Sequence, residues 1–242
     1  MENFVKGKRV LFMGDSITAL YMGNRGWPKY FSELLEPAHT ACTAVAGARW
    51  RDYPDTVWDG NPRFTPNEPM PHNTMCNQME KIRRLHAAGD PDYADFDVVL
   101  MACGTNDGMP EPADVTDAQF YRDGAYVPLA DADTHTWGGA IRHVSESLYA
   151  LYPNAVQFIL TPIQADDAVR PFRSILEKGR VLNEIAARLS VRTIDMLHCG
   201  IYGRYEKLHE NGRSLVDGLH PNEHGARQMG HFAAMAVKAY LG

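Results

Sequence analysis

Short runs of apolar residues alternate along the chain with longer segments in which apolar residues recur every three or four positions. The short runs predict β-strands at residues 8–13, 40–45, 96–102, 156–160 and 191–196. The longer segments predict helices at residues 27–36, 74–88, 137–151, 172–189 and 222–240, the last of them capped by Asn222. Strands that alternate with helices predict a three-layer α/β domain with a mainly parallel five-stranded sheet.

Two long stretches do not follow this alternation. Residues 51–73 contain five prolines, which predicts an ordered loop or lid rather than a regular element. Residues 107–135 hold seven acidic residues and one basic residue. Connections of this length in compact domains tend to serve function, and neither is long enough to form a second domain. We therefore expect a single domain over residues 1–242 with two functional loops.

Composition and charge restrict the class of protein. The 242 residues are 45% hydrophobic and 22% charged, which is ordinary for a soluble globular protein. The net charge is −6, and residues 107–135 account for all of it because the remainder holds 23 acidic and 23 basic residues. Such a segment disfavours nucleic acid and anionic membranes as partners, although a solvated loop has the same composition.

Apolar segments are too short for a membrane span or a signal peptide. No stretch approaches the roughly 18 apolar residues that a transmembrane helix needs. The apolar run near the N-terminus follows a polar start and is shorter than the core of a signal peptide. These features predict a cytoplasmic protein without membrane insertion.

Cysteine and histidine spacing gives little support for a metal or redox site. The four cysteines form no Cys-x-x-Cys pair, and Cys103 ends an apolar run, which predicts a buried thiol. His220 and His224 have a spacing that can bind a metal on a helix, but Pro221 lies between them and no third ligand is evident. We expect neither a metal nor a cofactor.

Four polar motifs follow predicted strands or precede the last helix. They are Gly14-Asp15-Ser16-Ile17 after the first strand, Ala46-Gly47 after the second, Gly104-Thr105-Asn106-Asp107 after the third, and Asp217-Gly218-Leu219-His220 before the helix. Ligands of open parallel α/β sheets bind beyond the carboxyl ends of the strands. The four motifs are therefore expected to meet in one site.

Ser16, His220 and Asp217 have the residue types that acyl transfer requires. Ser16 would attack a carbonyl carbon, His220 would accept and return its proton, and Asp217 would orient the imidazole. The backbone N–H groups of Ser16 and Gly47 and the side-chain amide of Asn106 are candidate donors to the oxyanion. Structural alternatives exist, since Ser16 could cap a helix and Asn106 could stabilise a turn.

Together the four motifs resemble the blocks that define the SGNH hydrolases, also called GDSL esterases and lipases. That family is named for its Ser, Gly, Asn and His, which here are Ser16, Gly47, Asn106 and His220 in the family's order. Ile17 replaces the usual Leu of the first block, and the second block lacks the Asn that often precedes its Gly. The resemblance implies a flavodoxin-like α/β/α sandwich with sheet order 2-1-3-4-5 and serine-based ester hydrolysis.

The expected substrate is a small-molecule ester with a short acyl chain, above all an O-acetyl group on a carbohydrate or another small alcohol. Arg49, Trp50 and Trp137, with Trp58, are predicted to line a polar and aromatic cleft that suits a sugar, although tryptophan is also common in protein cores. The family also includes thioesterases and lysophospholipases, and an inactive homologue could bind glycans. A nucleotide-binding protein is disfavoured because the chain has neither Gly-x-Gly-x-x-Gly nor a Gly-Lys-Ser/Thr loop. Many such enzymes self-associate, so a homo-oligomer is compatible with the sequence, which specifies no interface.

Overall fold

A five-stranded parallel sheet forms the centre of the computed structural model, which describes residues 5–19, 26–52, 73–115, 117–206 and 213–241. The strands of this sheet are β1 (Arg9–Gly14), β2 (His39–Cys42), β3 (Val98–Ala102), β6 (Val156–Leu160) and β7 (Arg192–Ile194). A separate antiparallel hairpin joins β4 (Tyr121–Arg122) to β5 (Ala125–Tyr126). The main sheet has the order β2-β1-β3-β6-β7. Because the hairpin strands lie outside it, this is the predicted order 2-1-3-4-5, which is confirmed.

The five predicted helices begin and end within two residues of their predicted bounds, and one short helix, α5 (Gly203–Glu206), was not predicted. The predicted helices are α1 (Trp27–Leu35), α2 (Met75–Ala87), α3 (Trp137–Leu151), α4 (Phe172–Arg188) and α6 (Glu223–Leu241). Side chains cap three of them: the hydroxyl oxygens of Thr74 and Thr136 accept N–H bonds at the starts of α2 and α3. The side-chain oxygen Oδ1 of Asn222 accepts the N–H of Gly225 at the start of α6, as predicted.

Alternate side chains of the strands face two separate hydrophobic cores. Val10 and Phe12 of β1 pack with α1 and α6 on one face of the sheet. Leu11 and Met13 pack with α2, α3 and α4 on the other face. This period of two places apolar side chains on both faces of the sheet, which explains why its strands appear as continuous apolar runs. The three-layer α/β/α architecture is confirmed.

The acidic segment 107–135 is more regular than the loop that the sequence predicts. It contains the β4–β5 hairpin and three short 3₁₀ turns. The fully buried Arg142 of α3 holds the hairpin region by donating to the carbonyls of Gln119 and Val127 and to the carboxylate of Glu146. Two-residue strands with exposed side chains have no hydrophobic pattern, so sequence periodicity could not have revealed them.

The other long stretch lies mostly beyond what can be described. Residues 53–72, which include Trp58, fall outside the described ranges, so the predicted loop at 51–73 cannot be compared with the structure. Among the residues that are described, no helix is both long and apolar enough to cross a bilayer.

Candidate active site

Ser16 lies in the turn that directly follows β1. At the end of this strand, Gly14 allows the backbone to lie close to Ala102 of the neighbouring strand β3. Gly14 has φ 154°, and a Cβ atom on it would lie 2.2 Å from the Ala102 carbonyl oxygen of β3. No side chain fits there, so glycine is required for this approach. Asp15 stabilises the turn because its carboxylate accepts the N–H of Ile17. The strand therefore delivers the Ser16 hydroxyl to the carboxyl edge of the sheet.

The buried amide of Gln78 pairs with the backbone of Gly14. Gly14 N donates to Gln78 Oε1 at 3.0 Å, and Gln78 Nε2 donates to the Gly14 carbonyl at 2.7 Å. Strand β2 ends at Cys42, so its register with β1 stops before Gly14. The side chain of Gln78 on α2 takes the place of a strand acceptor for Gly14 N. The segment that leads into Ser16 is thus held from both sides, by β3 and by α2.

Ser16, His220 and Asp217 form a continuous chain of hydrogen bonds. Ser16 Oγ lies 2.9 Å from His220 Nε2, and His220 Nδ1 lies 2.7 Å from Asp217 Oδ2. An ionised carboxylate can only accept, so Nδ1 carries the proton and Nε2 is left to accept the serine hydroxyl. This is the tautomer that a general base for Ser16 needs.

The segment that carries Asp217 and His220 has supports of its own. The buried Glu206 of α5 accepts the N–H groups of Ser214 and Leu215 through its carboxylate. Gly218 has φ 80°, a conformation that favours glycine, and its carbonyl accepts from Asp166 N. Two independent parts of the fold therefore fix the turn between Asp217 and His220.

Hydrogen bonds keep Asp217 ionised. Burial by itself would raise the pKa of Asp217, but the N–H groups of His220 and Leu219 and the ring of His220 outweigh it. The pKa of Asp217 is therefore below its ordinary value, and the residue stays negative over the range in which histidine titrates.

Gly47 and Asn106 come to the same edge of the sheet and are linked through Ala48. Asn106 Nδ2 donates to the Ala48 carbonyl at 2.9 Å, and the buried Cys103 thiol donates to the same oxygen. Gly47 has φ 74°, which turns the chain after β2. Within the described ranges, the N–H groups of Ser16 and Gly47 donate to no protein acceptor. The second amide hydrogen of Asn106 and these two N–H groups are the donors that an oxyanion could use.

Asp107, the last residue of the third motif, connects two loops. Its buried carboxylate accepts the backbone N–H groups of Trp50 and Arg51 at 2.9 and 3.1 Å. Burial raises the pKa of Asp107, while these N–H groups and the Arg51 guanidinium oppose the increase. Asp107 is thus a structural link between the connection after β2 and the connection after β3.

Asp15 is a second buried carboxyl group beside the site. Burial raises the pKa of Asp15 to about 7, although the Ile17 N–H, the charge of His220 and the Thr105 hydroxyl all favour its ionised form. The group therefore changes charge close to neutral pH. This behaviour is invisible in the sequence because it depends on how completely the side chain is covered.

Metal-ligand geometry is not found among the described residues, where no three His, Cys, Asp or Glu side chains converge. Both ring nitrogens of His220 already bond to Ser16 and Asp217. Cys103 is buried as predicted, and burial raises the pKa of its thiol well above the ordinary value, so it is a poor nucleophile.

Comparison with known proteins identifies the family. The model of the GDSL-like Lipase/Acylhydrolase family matches residues 12–228, which include all four motifs. The chain belongs to this family. A comparison with curated proteins gives no match.

Solved structures with the same fold include esterases. A protein from Lactobacillus plantarum is 16% identical, with a TM-score of 0.64 and coverage of 98% of this chain and 99% of that one. The aryl esterase of M. smegmatis is 17% identical and a carbohydrate acetylesterase from Sinorhizobium meliloti 15%. Each match has a TM-score of 0.55 and covers 96% of this chain and 99% of the other protein's chain. At these identities the likeness shows the fold of the GDSL-like family.

A cavity of about 180 Å³ opens beside Ser16 and His220 in this GDSL-like protein. Its walls are mostly small or apolar, and they include Ile17, Ala19 and Ala226. The cavity is therefore suited to a compact, weakly polar group attached to the carbon that Ser16 would attack.

The prediction of an aromatic cleft is wrong for Trp50 and Trp137. Trp50 and Trp137 are fully buried in the core that packs against α2, α3 and α4, so neither offers a surface to a substrate. The ring edge of Trp137 instead supports Gly104 at the end of β3. Arg49 is half-buried and donates to the carbonyls of Arg51 and Asp52, and its role toward a substrate stays a prediction.

Sequence reasoning missed two buried polar residues behind the site. Gln78 lies between Met75, Met79 and Ile82 on the apolar stripe of α2, and it is fully buried. Lys178 occupies the equivalent kind of position on the stripe of α4. A polar residue within a helical apolar stripe is the signal that could have revealed both, because such a side chain must find a partner inside the protein.

Proposed function

We propose that this GDSL-like protein is a serine esterase that removes short acyl groups, above all acetyl, from a carbohydrate or another small alcohol. The observation that carries the proposal is the chain of hydrogen bonds from Ser16 Oγ through His220 to Asp217. It supplies a nucleophile, a base in the required tautomer and an ionised carboxylate that orients the base.

Acylation begins when Ser16 Oγ attacks the ester carbonyl carbon and its proton passes to His220 Nε2. The carbonyl oxygen becomes an oxyanion, which the N–H groups of Ser16 and Gly47 and the amide of Asn106 stabilise. Asp217 stabilises the imidazolium that forms. When the tetrahedral intermediate collapses, the alkoxide leaves with the proton from His220 and the acyl group stays on Ser16.

Deacylation repeats these steps with water as the nucleophile. His220 Nε2 takes a proton from the water, and the hydroxide attacks the acyl carbon within the same set of donors. Collapse returns the proton from His220 to Ser16 Oγ and releases the carboxylic acid. Because the imidazole must be neutral to act as base, the rate is expected to rise with pH, and a flat rate from about pH 5 to 9 would contradict this role.

Two observations support a short acyl chain and a small alcohol. The cavity beside Ser16 is small, about 180 Å³, and lacks a long apolar extension among the described residues that line it. One structural neighbour is described as a carbohydrate acetylesterase and another as an aryl esterase. A thioesterase or lysophospholipase is the weaker candidate because the exposed carboxylates of 107–135, among them Glu111, Asp123 and Asp131, would repel a phosphorylated substrate that reaches the site across this surface.

The test is hydrolysis of p-nitrophenyl acetate by the wild type, Ser16→Ala and a matched serine variant, Ser32→Ala. Ser32 lies on α1, where its hydroxyl donates to the Pro28 carbonyl. We expect Ser16→Ala to lose at least about 10³-fold in kcat, while Ser32→Ala keeps the wild-type rate. Equal rates for Ser16→Ala and the wild type would exclude the serine esterase, whether or not the protein binds glycans.

The same assay with other esters tests the substrate class. We expect p-nitrophenyl acetate to be cleaved faster than p-nitrophenyl decanoate, and acetylated monosaccharides to be deacetylated, with Ser16→Ala as the blank. Faster cleavage of the decanoyl ester would overturn the short-chain part of the proposal and leave the serine mechanism intact.

A further inference from the structure

Lys178 of α4 is buried directly behind the turn that carries Asn106. Its side chain is only 2% exposed. The ammonium donates to the Thr105 carbonyl oxygen at 3.1 Å, and among the described residues this is its one hydrogen-bond acceptor. Arg170 Nε donates to the same oxygen at 3.3 Å. Two cations thus converge on a single backbone carbonyl.

The Thr105 carbonyl belongs to the peptide bond that leads into Asn106. In a trans peptide the carbonyl and the following N–H point in opposite directions. Lys178 and Arg170 therefore hold the inner side of this peptide plane, while Asn106 reaches outward to Ala48 and to the site. Any rotation of the plane would move Asn106 and break both cationic hydrogen bonds.

Stability alone gives a poor reason for this lysine. A buried ammonium loses several kcal/mol of hydration, and one neutral carbonyl does not replace it. The charge of Asp107 favours the ammonium, but the two groups form no ion pair among the described residues. An apolar side chain of similar length would fill the same space without that cost. The neighbouring positions Ile175, Leu182 and Ile185 on the same stripe are all fully buried aliphatic residues.

We propose that Lys178 is a positioning residue for the oxyanion site, fixing the Thr105–Asn106 peptide and placing a positive charge behind the donors. This inference rests on the proposed esterase function. Negative charge develops on the substrate oxygen only in the transition state, so the benefit of a fixed positive charge appears in kcat rather than in KM.

The principal experiment compares Lys178→Met with the wild type and with Lys81→Met. Lys81 is a partly buried lysine of α2, and it controls for the loss of a lysine from a helix. For Lys178→Met we expect kcat to fall about 10- to 100-fold, with KM changed less than about threefold. We also expect its thermal midpoint to stay equal to that of the wild type or to rise. Lys81→Met should keep the wild-type kcat.

The alkaline pH profile is a second measurement that a purely structural role would not change. Burial lowers the pKa of Lys178, although the charge of Asp107 opposes the decrease. The other charged or titratable groups that face it are Arg170, Arg51 and Cys103, and burial raises the pKa of the Cys103 thiol well above its ordinary value. The Ser16→Ala rate is subtracted as background. As the pH is raised, kcat of the wild type should begin to fall before pH ~10.4, the ordinary pKa of lysine, and Lys178→Met should lack this fall.

The outcomes separate the two hypotheses. If Ser16→Ala abolishes hydrolysis but Lys178→Met keeps the wild-type kcat and alkaline profile, the role of Lys178 is refuted and the esterase stands. A Lys178→Met protein that loses kcat only in proportion to its folded fraction refutes the role equally. If the wild type shows no Ser16-dependent hydrolysis, the proposed function and this inference fall together.

Discussion

At the scale of single residues, the candidate site depends on buried polar side chains that bond to the main chain around it. Gln78 holds Gly14, Glu206 holds the segment before Asp217, and Asp107 joins two loops. All three bond to backbone groups rather than to the reactive side chains. The positions of the reacting atoms are therefore set by how these polar groups fix the main chain.

Replacing Gln78 by Leu should damage both stability and activity. The change leaves the N–H and one carbonyl acceptor site of Gly14 without a partner, at a cost of about 2–4 kcal/mol in the free energy of unfolding. Since Gly14 leads into Ser16, we expect kcat to fall about tenfold or more. Urea unfolding and steady-state p-nitrophenyl acetate hydrolysis measure the two effects.

Gln157→Leu is the matched control for this variant. Gln157 is also buried, but it donates to the Ser145 carbonyl of α3 and makes no contact with the Ser16 turn. It should lose stability while keeping kcat within about twofold of the wild type. If the two variants lose kcat to the same extent, Gln78 has no particular role in positioning Ser16.

At the scale of elements, the contact between α1 and α6 brings the two ends of the site together. The α1 helix follows the connection after Ser16, and α6 follows His220 directly. Gly230 lets the helices approach, because a Cβ atom there would lie 2.6 Å from the Trp27 carbonyl and 2.7 Å from Tyr30 Cβ. The distance between nucleophile and base thus depends on a glycine that lies outside the site.

Two glycine-to-alanine changes in helix interiors should have opposite effects. Gly230→Ala should lower the free energy of unfolding by about 1–3 kcal/mol, because α1 and α6 must separate to admit the methyl group. At Gly179 of α4 the nearest atoms would be 3.7 Å away, an ordinary contact, so Gly179→Ala should raise stability by about 0.5–1 kcal/mol. Chemical denaturation of both variants checks the pair, and a Gly230→Ala variant at least as stable as the wild type would show that packing at Gly230 is unimportant.

At the scale of the whole molecule, buried carboxyl groups make stability depend on pH. The pKa of Asp15 is raised to about 7 by burial, whereas an unfolded chain releases this proton near pH 4. Between these values the folded state binds more protons than the unfolded state, so this group lowers stability as pH rises from about 4 to 7. Above that range the cost of the buried charge is fully present.

Asp15→Asn should remove this cost. Relative to the wild type, the variant should gain up to about 4 kcal/mol of unfolding free energy between pH ~4 and pH ~8, at 1.36 kcal/mol per pKa unit. Thermal or urea unfolding at both pH values measures the difference. Asp123→Asn, on the exposed hairpin turn, is the control, and the pH dependence of its unfolding free energy should equal that of the wild type. An Asp15→Asn variant with the pH dependence of the wild type would contradict the shift.

The layered fold could be predicted because its signals are local. Apolar runs marked the five strands, and Asn222 marked the start of α6, since burial on both faces and helix capping each leave a direct trace in the residues. Ser16, Gly47 and Asn106 could be predicted to lie at one edge because motifs at the carboxyl ends of parallel strands meet there, and the structure brings His220 to Ser16 from the turn before α6.

The remaining features depend on contacts between distant parts of the chain. Trp50 and Trp137 were assigned to a cleft because residue type alone does not distinguish a core indole from an exposed one. The partners of Gln78 and Lys178, the backbone of Gly14 and the carbonyl of Thr105, lie on other elements. The raised pKa of Asp15 likewise depends on complete coverage by residues that are remote in sequence.

The hydrogen bond between Ser16 and His220 joins residues that are 204 positions apart. A chain still under synthesis that has exposed only its first two hundred residues holds the proposed nucleophile Ser16 and the proposed oxyanion donors but lacks the proposed base His220. Under the proposed mechanism, hydrolysis would begin only after the segment that carries Asp217 and His220 has folded against the Ser16 turn. If the proposed esterase function holds, the first appearance of activity during refolding would report the formation of a contact between residues far apart in the chain.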